Sequence, residues 1–108
     1  MINYDDADKA LNFMKSTDKE AARLKAYAGS LDDMKKSALA LIYNDLDPKL
    51  AQGDRLKKAE GHQDYIAHLE NLRKANEEHE VMKNKRNSAD KQIEMWRSVN
   101  SNQRKGNI

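Results

Sequence analysis

Histidines are the residues of this chain with the most obvious capacity for metal or acid–base chemistry. The chain has three, His62, His68 and His79, and no two of them are four residues apart. Di-metal helix bundles use a Glu-x-x-His spacing, whereas the residues three before His68 and His79 are Tyr65 and Asn76. The spacing therefore predicts no metal site and no bound cofactor.

Nucleophilic and phosphate-binding chemistry lack their usual motifs as well. The chain has no cysteine, and its four glycines stand far apart, so there is no thiolate and no glycine-rich phosphate loop. Paired carboxylates such as Asp32-Asp33 and Glu77-Glu78 are adjacent, so their side chains diverge on a helix. We expect a non-enzymatic protein with no catalytic residues.

A seven-residue repeat of inward-facing positions is the main structural signal. Two lines, three residues apart, run from Tyr65 to Trp96. The first contains Tyr65, Leu72, His79, Arg86 and Ile93, and the second contains His68, Ala75, Met82, Ala89 and Trp96. This pattern is typical of a helix that packs along another helix in a coiled-coil seam. Polar residues in such a seam, here His79 and Arg86, either fix the register or extend to solvent.

The remaining elements are predicted from helix start and stop signals. Thr17 and Glu20 have the spacing of a capping box, and Asp47-Pro48 disfavours helix. These signals predict helices at 4–15, 18–44 and 54–99. In the second helix, one seven-residue line contains Leu24, Leu31 and Ala38, and the other contains Tyr27, Met34 and Leu41.

The predicted fold class is all-α. A short N-terminal helix precedes a long antiparallel, coiled-coil-like helical hairpin in a single domain of residues 1–100, and a polar, basic, frayed tail occupies 101–108. The predicted helix at 54–99 is longer than the predicted helix at 18–44 that packs against it. This difference in length predicts a dimeric bundle in which a second copy covers the remaining part of the longer helix. The predicted interface residues are Leu72, Ala75, His79, Met82, Arg86, Ala89, Ile93 and Trp96.

Two alternatives to this arrangement stay open. The last helix either continues through Asn87-Ser88, which the unbroken repeat favours, or breaks there to start a fourth helix. The first helix either leaves the C-terminal half uncovered or packs against it in a monomeric three-helix bundle.

Charge is concentrated at the C-terminal end. Residues 81–108 contain seven basic and two acidic side chains, whereas the whole chain has a net charge of only +2. The basic residues are Lys83, Lys85, Arg86, Lys91, Arg97, Arg104 and Lys105. Such a segment can neutralise phosphates, so nucleic acid is the alternative partner, although it is not the favoured one.

Membrane insertion and export are not expected. No apolar run approaches the roughly 20 residues of a membrane span, and the N-terminus begins with acidic residues where a signal peptide would be basic. We therefore expect a cytoplasmic protein without a membrane partner.

The segment from Ser88 to Ser98, with Ser101 and Arg104 after it, resembles the C-terminal part of small helical proteins encoded by bacteriophages and prophages. In both, an Ala-acidic pair leads into Ile-x-x-Trp-Arg and a polar, basic tail. The resemblance implies a phage or prophage origin, in a gene region for DNA replication or recombination, and transfers no functional residues. The sequence as a whole predicts a helical accessory protein that acts by self-association or by binding another protein helix. The alternative is a nucleic-acid-binding accessory factor.

Overall fold

The computed structural model describes residues 3–106, and these residues form four α-helices and no strand. The helices are α1 (Tyr4–Asp33), α2 (Lys35–Asp45), α3 (Gln52–Glu60) and α4 (Gln63–Gly106). The predicted all-α class is confirmed. None of the helices in this part of the chain is long and apolar enough to cross a membrane.

The chain, which the sequence analysis treated as one domain, divides into two compact units. Unit 1 contains Met1–Arg23 and Glu80–Ile108, of which residues 3–23 and 80–106 are described, and unit 2 is Leu24–His79. Both α1 and α4 therefore contribute to each unit.

Helix α1 is continuous where the sequence analysis predicted a break. Asn3 caps its start, because the Asp6 amide donates to Asn3 Oδ1 at 3.0 Å. Thr17 does not act as a cap, since its hydroxyl donates to the Phe13 carbonyl at 2.7 Å within the same helix. Glu20 instead accepts from Arg23 Nε at 2.9 Å. The predicted capping box and the predicted helix boundary at 15–18 are wrong.

The interruption of the helix occurs at Met34 instead. Met34 keeps helical dihedral angles, with φ −80° and ψ −8°, and separates α1 from α2. Two backbone hydrogen bonds span the junction, from the Met34 amide to the Ser30 carbonyl at 3.0 Å and from the Ala38 amide to the Met34 carbonyl at 2.9 Å. The predicted helix at 18–44 is therefore the end of α1 followed by α2.

The predicted helix at 54–99 is also divided, at Gly61 and His62. The Gly61 amide donates to the Lys57 carbonyl at 3.0 Å and closes α3. His62 Nδ1 accepts from the Asp64 amide at 3.1 Å and so satisfies a donor at the start of α4. Gly61 keeps a right-handed φ of −87°, so the local cause that the structure shows for the start of α4 is the capping contact of His62.

Helix α4 runs unbroken through Asn87-Ser88, as the favoured alternative predicted. Its 44 residues correspond to about 66 Å of helix. Residues 101–106, predicted to be a frayed tail, belong to this helix, and the last part of that predicted tail, 107–108, lies outside the described residues.

The core of each unit is thin and rich in alanine. In unit 1, Ala10, Ala89 and Ile93 are buried together, with Phe13 and Met14 packed against them. In unit 2 the buried side chains are Leu24, Ala28, Ala59, Leu72 and Ala75. Small residues at these positions allow helix backbones to approach closely, but they bury little apolar area.

Candidate helix-association surface

The two seven-residue lines on α4 are the inward-facing surface of that helix. All ten of their residues are buried or half-buried, and the other residues between Asp64 and Ser98 are exposed. Four of the predicted interface residues are buried, namely Leu72, Ala75, Ala89 and Ile93. The other four, His79, Met82, Arg86 and Trp96, are half-buried.

In unit 1 the chain itself covers this seam. Trp96 makes an edge-to-face contact with Tyr4, with 5.8 Å between ring centroids, and Ala10 packs with Ala89 and Ile93. The N-terminal part of α1 therefore runs antiparallel to the C-terminal part of α4. The dimer prediction assumed that this half of the last helix lacked a cover within its own chain, and that assumption is wrong.

Arg86 occupies a polar position in this seam and binds three acceptors on α1. Its Nη1 donates to the Met14 carbonyl at 2.9 Å and to Thr17 Oγ1 at 2.8 Å, and its Nη2 lies 3.1 Å from Asp18 Oδ1. The Arg86 side chain is only 19% exposed. A guanidinium with three matched acceptors permits one register of the two helices, because any shift along the helix would leave a largely buried charge without partners.

His68 has a similar position in unit 2. Its Nε2 lies 2.8 Å from the carbonyl oxygen of Leu31, near the end of α1. Lys35, the residue whose amide would bond this carbonyl in a continuous helix, already belongs to α2. His68 thus supplies a hydrogen bond at the helix interruption. This is an ordinary structural role for a seam histidine, and His79 is half-buried in the same seam.

The end of α2 depends on one arginine of α3. Arg55 Nε donates to the Tyr43 carbonyl at 2.8 Å, and its Nη2 is 3.3 Å from the carbonyls of Asn44 and Leu46. The guanidinium also lies 4.3 Å from the centroid of the Tyr43 ring. These contacts satisfy carbonyls that the end of a helix leaves without amide partners. Arg55 could not be identified from the sequence, since nothing local in the sequence places it opposite Tyr43.

The basic residues of the C-terminal segment separate into two groups. Arg86 is engaged in the seam, whereas the others are exposed. At 100° per residue, one arc of roughly 140° on α4 contains Lys83, Lys91, Arg97, Arg104 and Lys105. Asp90 and Glu94 lie on the same arc, which lowers its positive charge. Trp96 contacts Tyr4, so it is not a free platform for a base.

Lys85 lies on another side of α4, at the edge of a shallow groove in unit 1. The groove has a volume of about 490 Å³, and its lining includes Ala10, Phe13 and Ala89 together with the lysines Lys9 and Lys85. It runs between α1 and α4 and is open to solvent.

A row of large apolar side chains faces outward in unit 2. Tyr27 is 50% exposed, Met34 56% and Leu41 68%. The sequence analysis predicted that these three residues form an inward line of the second helix, and that prediction is wrong. The residues that follow them in the chain face inward instead, since Ala28 is buried and Lys35 and Ile42 are half-buried, in phase with Leu24, Leu31 and Ala38.

Helix α2 is unusual in having no buried residue, although its sequence, Lys-Lys-Ser-Ala-Leu-Ala-Leu-Ile-Tyr-Asn-Asp, is largely apolar in the middle. The outward row, defined as Tyr27, Met34 and Leu41, continues from the end of α1 onto this helix. Such a row on a chain with 35% charged residues is a feature of association surfaces.

Metal-binding geometry is absent from residues 3–106, where no group of three or more His, Asp or Glu side chains could hold an ion. The same residues contain no buried side-chain polar atom without a hydrogen-bond partner.

Comparisons with known proteins give no relative: no family model, no curated protein and no solved structure matches this chain. The phage or prophage origin implied by the resemblance of Ser88–Ser98 therefore stays a prediction.

Proposed function

We propose that this chain is a non-enzymatic helical interaction protein that acts by packing an exposed helix face against a partner helix, either its own or another protein's. The observation that carries the proposal is the outward row of Tyr27, Met34 and Leu41, each at least half exposed. Exposed apolar area of this kind gains free energy when a partner removes it from water, at about 25 cal/mol per Å².

The inward seam supports the same proposal indirectly. Because Arg86 and Trp96 already have partners within unit 1, the seam is occupied, and association has to use a different face. A helix that is covered on one side and apolar on the other is suited to join two proteins.

Sedimentation equilibrium of the full chain, from low micromolar to a few hundred micromolar, tests this function. We expect the apparent mass to rise reversibly above the 12.4 kDa of one chain. A mass that stays at 12.4 kDa throughout would exclude self-association and leave only binding to another protein.

The alternative function is that of a nucleic-acid-binding accessory factor, and the arc of basic side chains on α4 favours it. This function predicts binding to DNA or RNA that weakens steeply as salt increases, because each neutralised phosphate releases a counterion. Fluorescence anisotropy at about 50 mM salt tests it. A triple neutralisation of Lys83, Lys91 and Arg97 should then lower affinity, and a flat titration of the wild-type chain would reject this alternative.

An origin in a phage or prophage is also a proposal, supported only by the resemblance of the C-terminal segment. The genes adjacent to this one would test it.

A further inference from the structure

The break between α1 and α2 contains none of the residues that usually break a helix. Residues 31–38 include no proline and no glycine. Met34, at the centre of the break, has a ψ of −8°, whereas a regular helix has about −42°. The helix resumes at once, because the Ala38 amide donates to the Met34 carbonyl at 2.9 Å. The cause of the break therefore has to come from outside this segment.

A side chain of α4 replaces one backbone hydrogen bond of the break. In a continuous helix the Lys35 amide would donate to the Leu31 carbonyl. Here α1 ends at Asp33, and the Leu31 carbonyl oxygen lies 2.8 Å from His68 Nε2. A carbonyl oxygen only accepts, so Nε2 carries the hydrogen and donates it. Because a side chain that inserts into the backbone hydrogen bonds of a helix kinks it, His68 is the cause that the structure shows for the break.

The far end of α2 has a second contact of this kind. Arg55 of α3 donates to the carbonyls of Tyr43, Asn44 and Leu46. No residue of α2 is buried, so these end contacts matter more than they would in a helix with a core. The 11 residues of α2 span about 16 Å, and a regular ψ at Met34 would therefore swing the end of α2 by several ångströms. A hydrogen bond does not tolerate such a displacement, so the contacts of Arg55 favour the bent form.

We propose that the α1–α2 junction is a joint with two forms, bent and straight, and that His68 is the positioning residue that holds it bent. In the bent form the Leu31 carbonyl bonds His68, and the end of α2 bonds Arg55. In the straight form the Lys35 amide bonds the Leu31 carbonyl, and residues 4–45 make one helix. Each form has hydrogen bonds that the other lacks, which is what two packings of similar free energy require. This inference goes beyond the proposed function, because it concerns the conformation of a single chain.

The joint lies in the middle of the outward row, because Met34 is both the junction residue and the central member of that row. Tyr27 lies seven residues before Met34, and Leu41 lies seven residues after it. The bent and straight forms therefore present Tyr27 and Leu41 in different relative directions. Any partner that contacts both residues would shift the joint toward the form that it fits.

Hydrogen exchange at the Lys35 amide tests the joint, read residue by residue by mass spectrometry at low micromolar concentration. His68→Leu removes the donor, so the Lys35 amide should bond the Leu31 carbonyl and exchange about tenfold more slowly. The end of α2 should exchange faster in the same variant, because Arg55 loses its acceptors there. Unchanged or faster exchange at Lys35 would overturn the inference, since loss of an ordinary stabilising contact speeds exchange throughout the region.

Two further variants of His68 separate its hydrogen bond from its bulk. His68→Gln places an amide donor near the position of Nε2 and should keep the wild-type exchange rate at Lys35. His68→Ala should slow this exchange as His68→Leu does. Slow exchange in His68→Gln, or wild-type exchange in His68→Ala, would contradict the role of the hydrogen bond. Circular dichroism of each variant establishes that it remains folded.

Two control variants address other causes of the break. His79 is the other half-buried histidine of the seam and has no hydrogen bond to any residue within 3–106, so His79→Leu should leave exchange at Lys35 unchanged. Gly29 and Ser30 precede the break, and a Cβ at Gly29 would meet no atom within 4 Å, so Gly29→Ala tests local flexibility. It should also leave exchange at Lys35 unchanged. A tenfold slowing in either control would contradict the proposal, because the joint would then straighten with the His68 donor still present.

Discussion

The seven-residue repeat of α4 runs through both unit 1 and unit 2, but the residues that pack on it differ between the two units. In unit 1, α1 and α4 meet through Arg86 and its three acceptors and through the Tyr4–Trp96 contact. In unit 2 the buried side chains are three alanines and two leucines, and the larger apolar side chains of the outward row are exposed. The contacts of Arg86 fix a register in unit 1, whereas unit 2 has an exposed row of large apolar side chains on α1, α2 and their junction.

This difference shows that residue size does not determine which line of a heptad faces inward. Tyr27, Met34 and Leu41 would bury more apolar area than Ala28 and Ala38, yet they are on the outside. Their exposure leaves apolar area in contact with water, which is the basis of the proposed function.

The largest expected effect compares two leucines of unit 2. Leu72 is 8% exposed in the seam, and Leu41 is 68% exposed in the outward row. Leu72→Ala should lower the free energy of unfolding by about 3 kcal/mol, because it removes buried contacts and leaves a cavity. Leu41→Ala should change it by no more than about 0.5 kcal/mol. Urea unfolding at low micromolar concentration measures both, and a large loss for Leu41→Ala would mean that the outward row is core.

The next effect concerns the polar contacts of unit 1. Arg86→Ala should lower the free energy of unfolding by about 2 kcal/mol, since it removes charge-assisted hydrogen bonds at a largely buried position. The matched control is Arg73→Ala, whose side chain is 69% exposed and forms only a surface pair with Glu77. That variant should lose no more than about 0.5 kcal/mol. Thermal unfolding measures both variants. Equal losses in the free energy of unfolding would show that Arg86 does not fix the register of α1 and α4 in unit 1.

A smaller effect is expected at the end of α2. Arg55→Ala should lower the free energy of unfolding by about 1 kcal/mol and increase amide hydrogen exchange within Lys35–Asp45, because the Asn44 carbonyl loses its donor and the Tyr43 carbonyl keeps only the Leu46 amide. Lys57→Ala on the same helix is the control. Unchanged exchange in α2 after Arg55→Ala would show that water replaces the arginine without loss.

The sequence predicted the all-α class and the inward positions of α4, because a strict repeat over several heptads has one interpretation. It did not predict the helix boundaries correctly at Thr17 or Gly61. Thr17 has both a capping pattern and a mid-helix hydroxyl contact available to it, and in the folded chain its hydroxyl also accepts from Arg86, which is 69 residues away. Interactions of that separation leave no local trace in the sequence.

The outward row was misassigned for a related reason. Two lines with the same seven-residue period run along 24–44, and the sequence predicted that both face inward because both consist of apolar residues. Only the packing of α1 against its neighbours in unit 2 selects the line of Ala28 and Ile42 instead. Close approach of the helix backbones favours these smaller or β-branched side chains.

Methionine oxidation of the wild-type chain at increasing protein concentration tests the central claim most directly. At low concentration, Met34 and Met95 should oxidise at similar rates and faster than the half-buried Met82, because exposure controls access of peroxide to the sulfur. As the concentration rises, oxidation of Met34 should slow several-fold while that of Met95 does not change. Equal rates for Met34 and Met95 at every concentration would contradict the claim that this protein associates through the outward row of Tyr27, Met34 and Leu41.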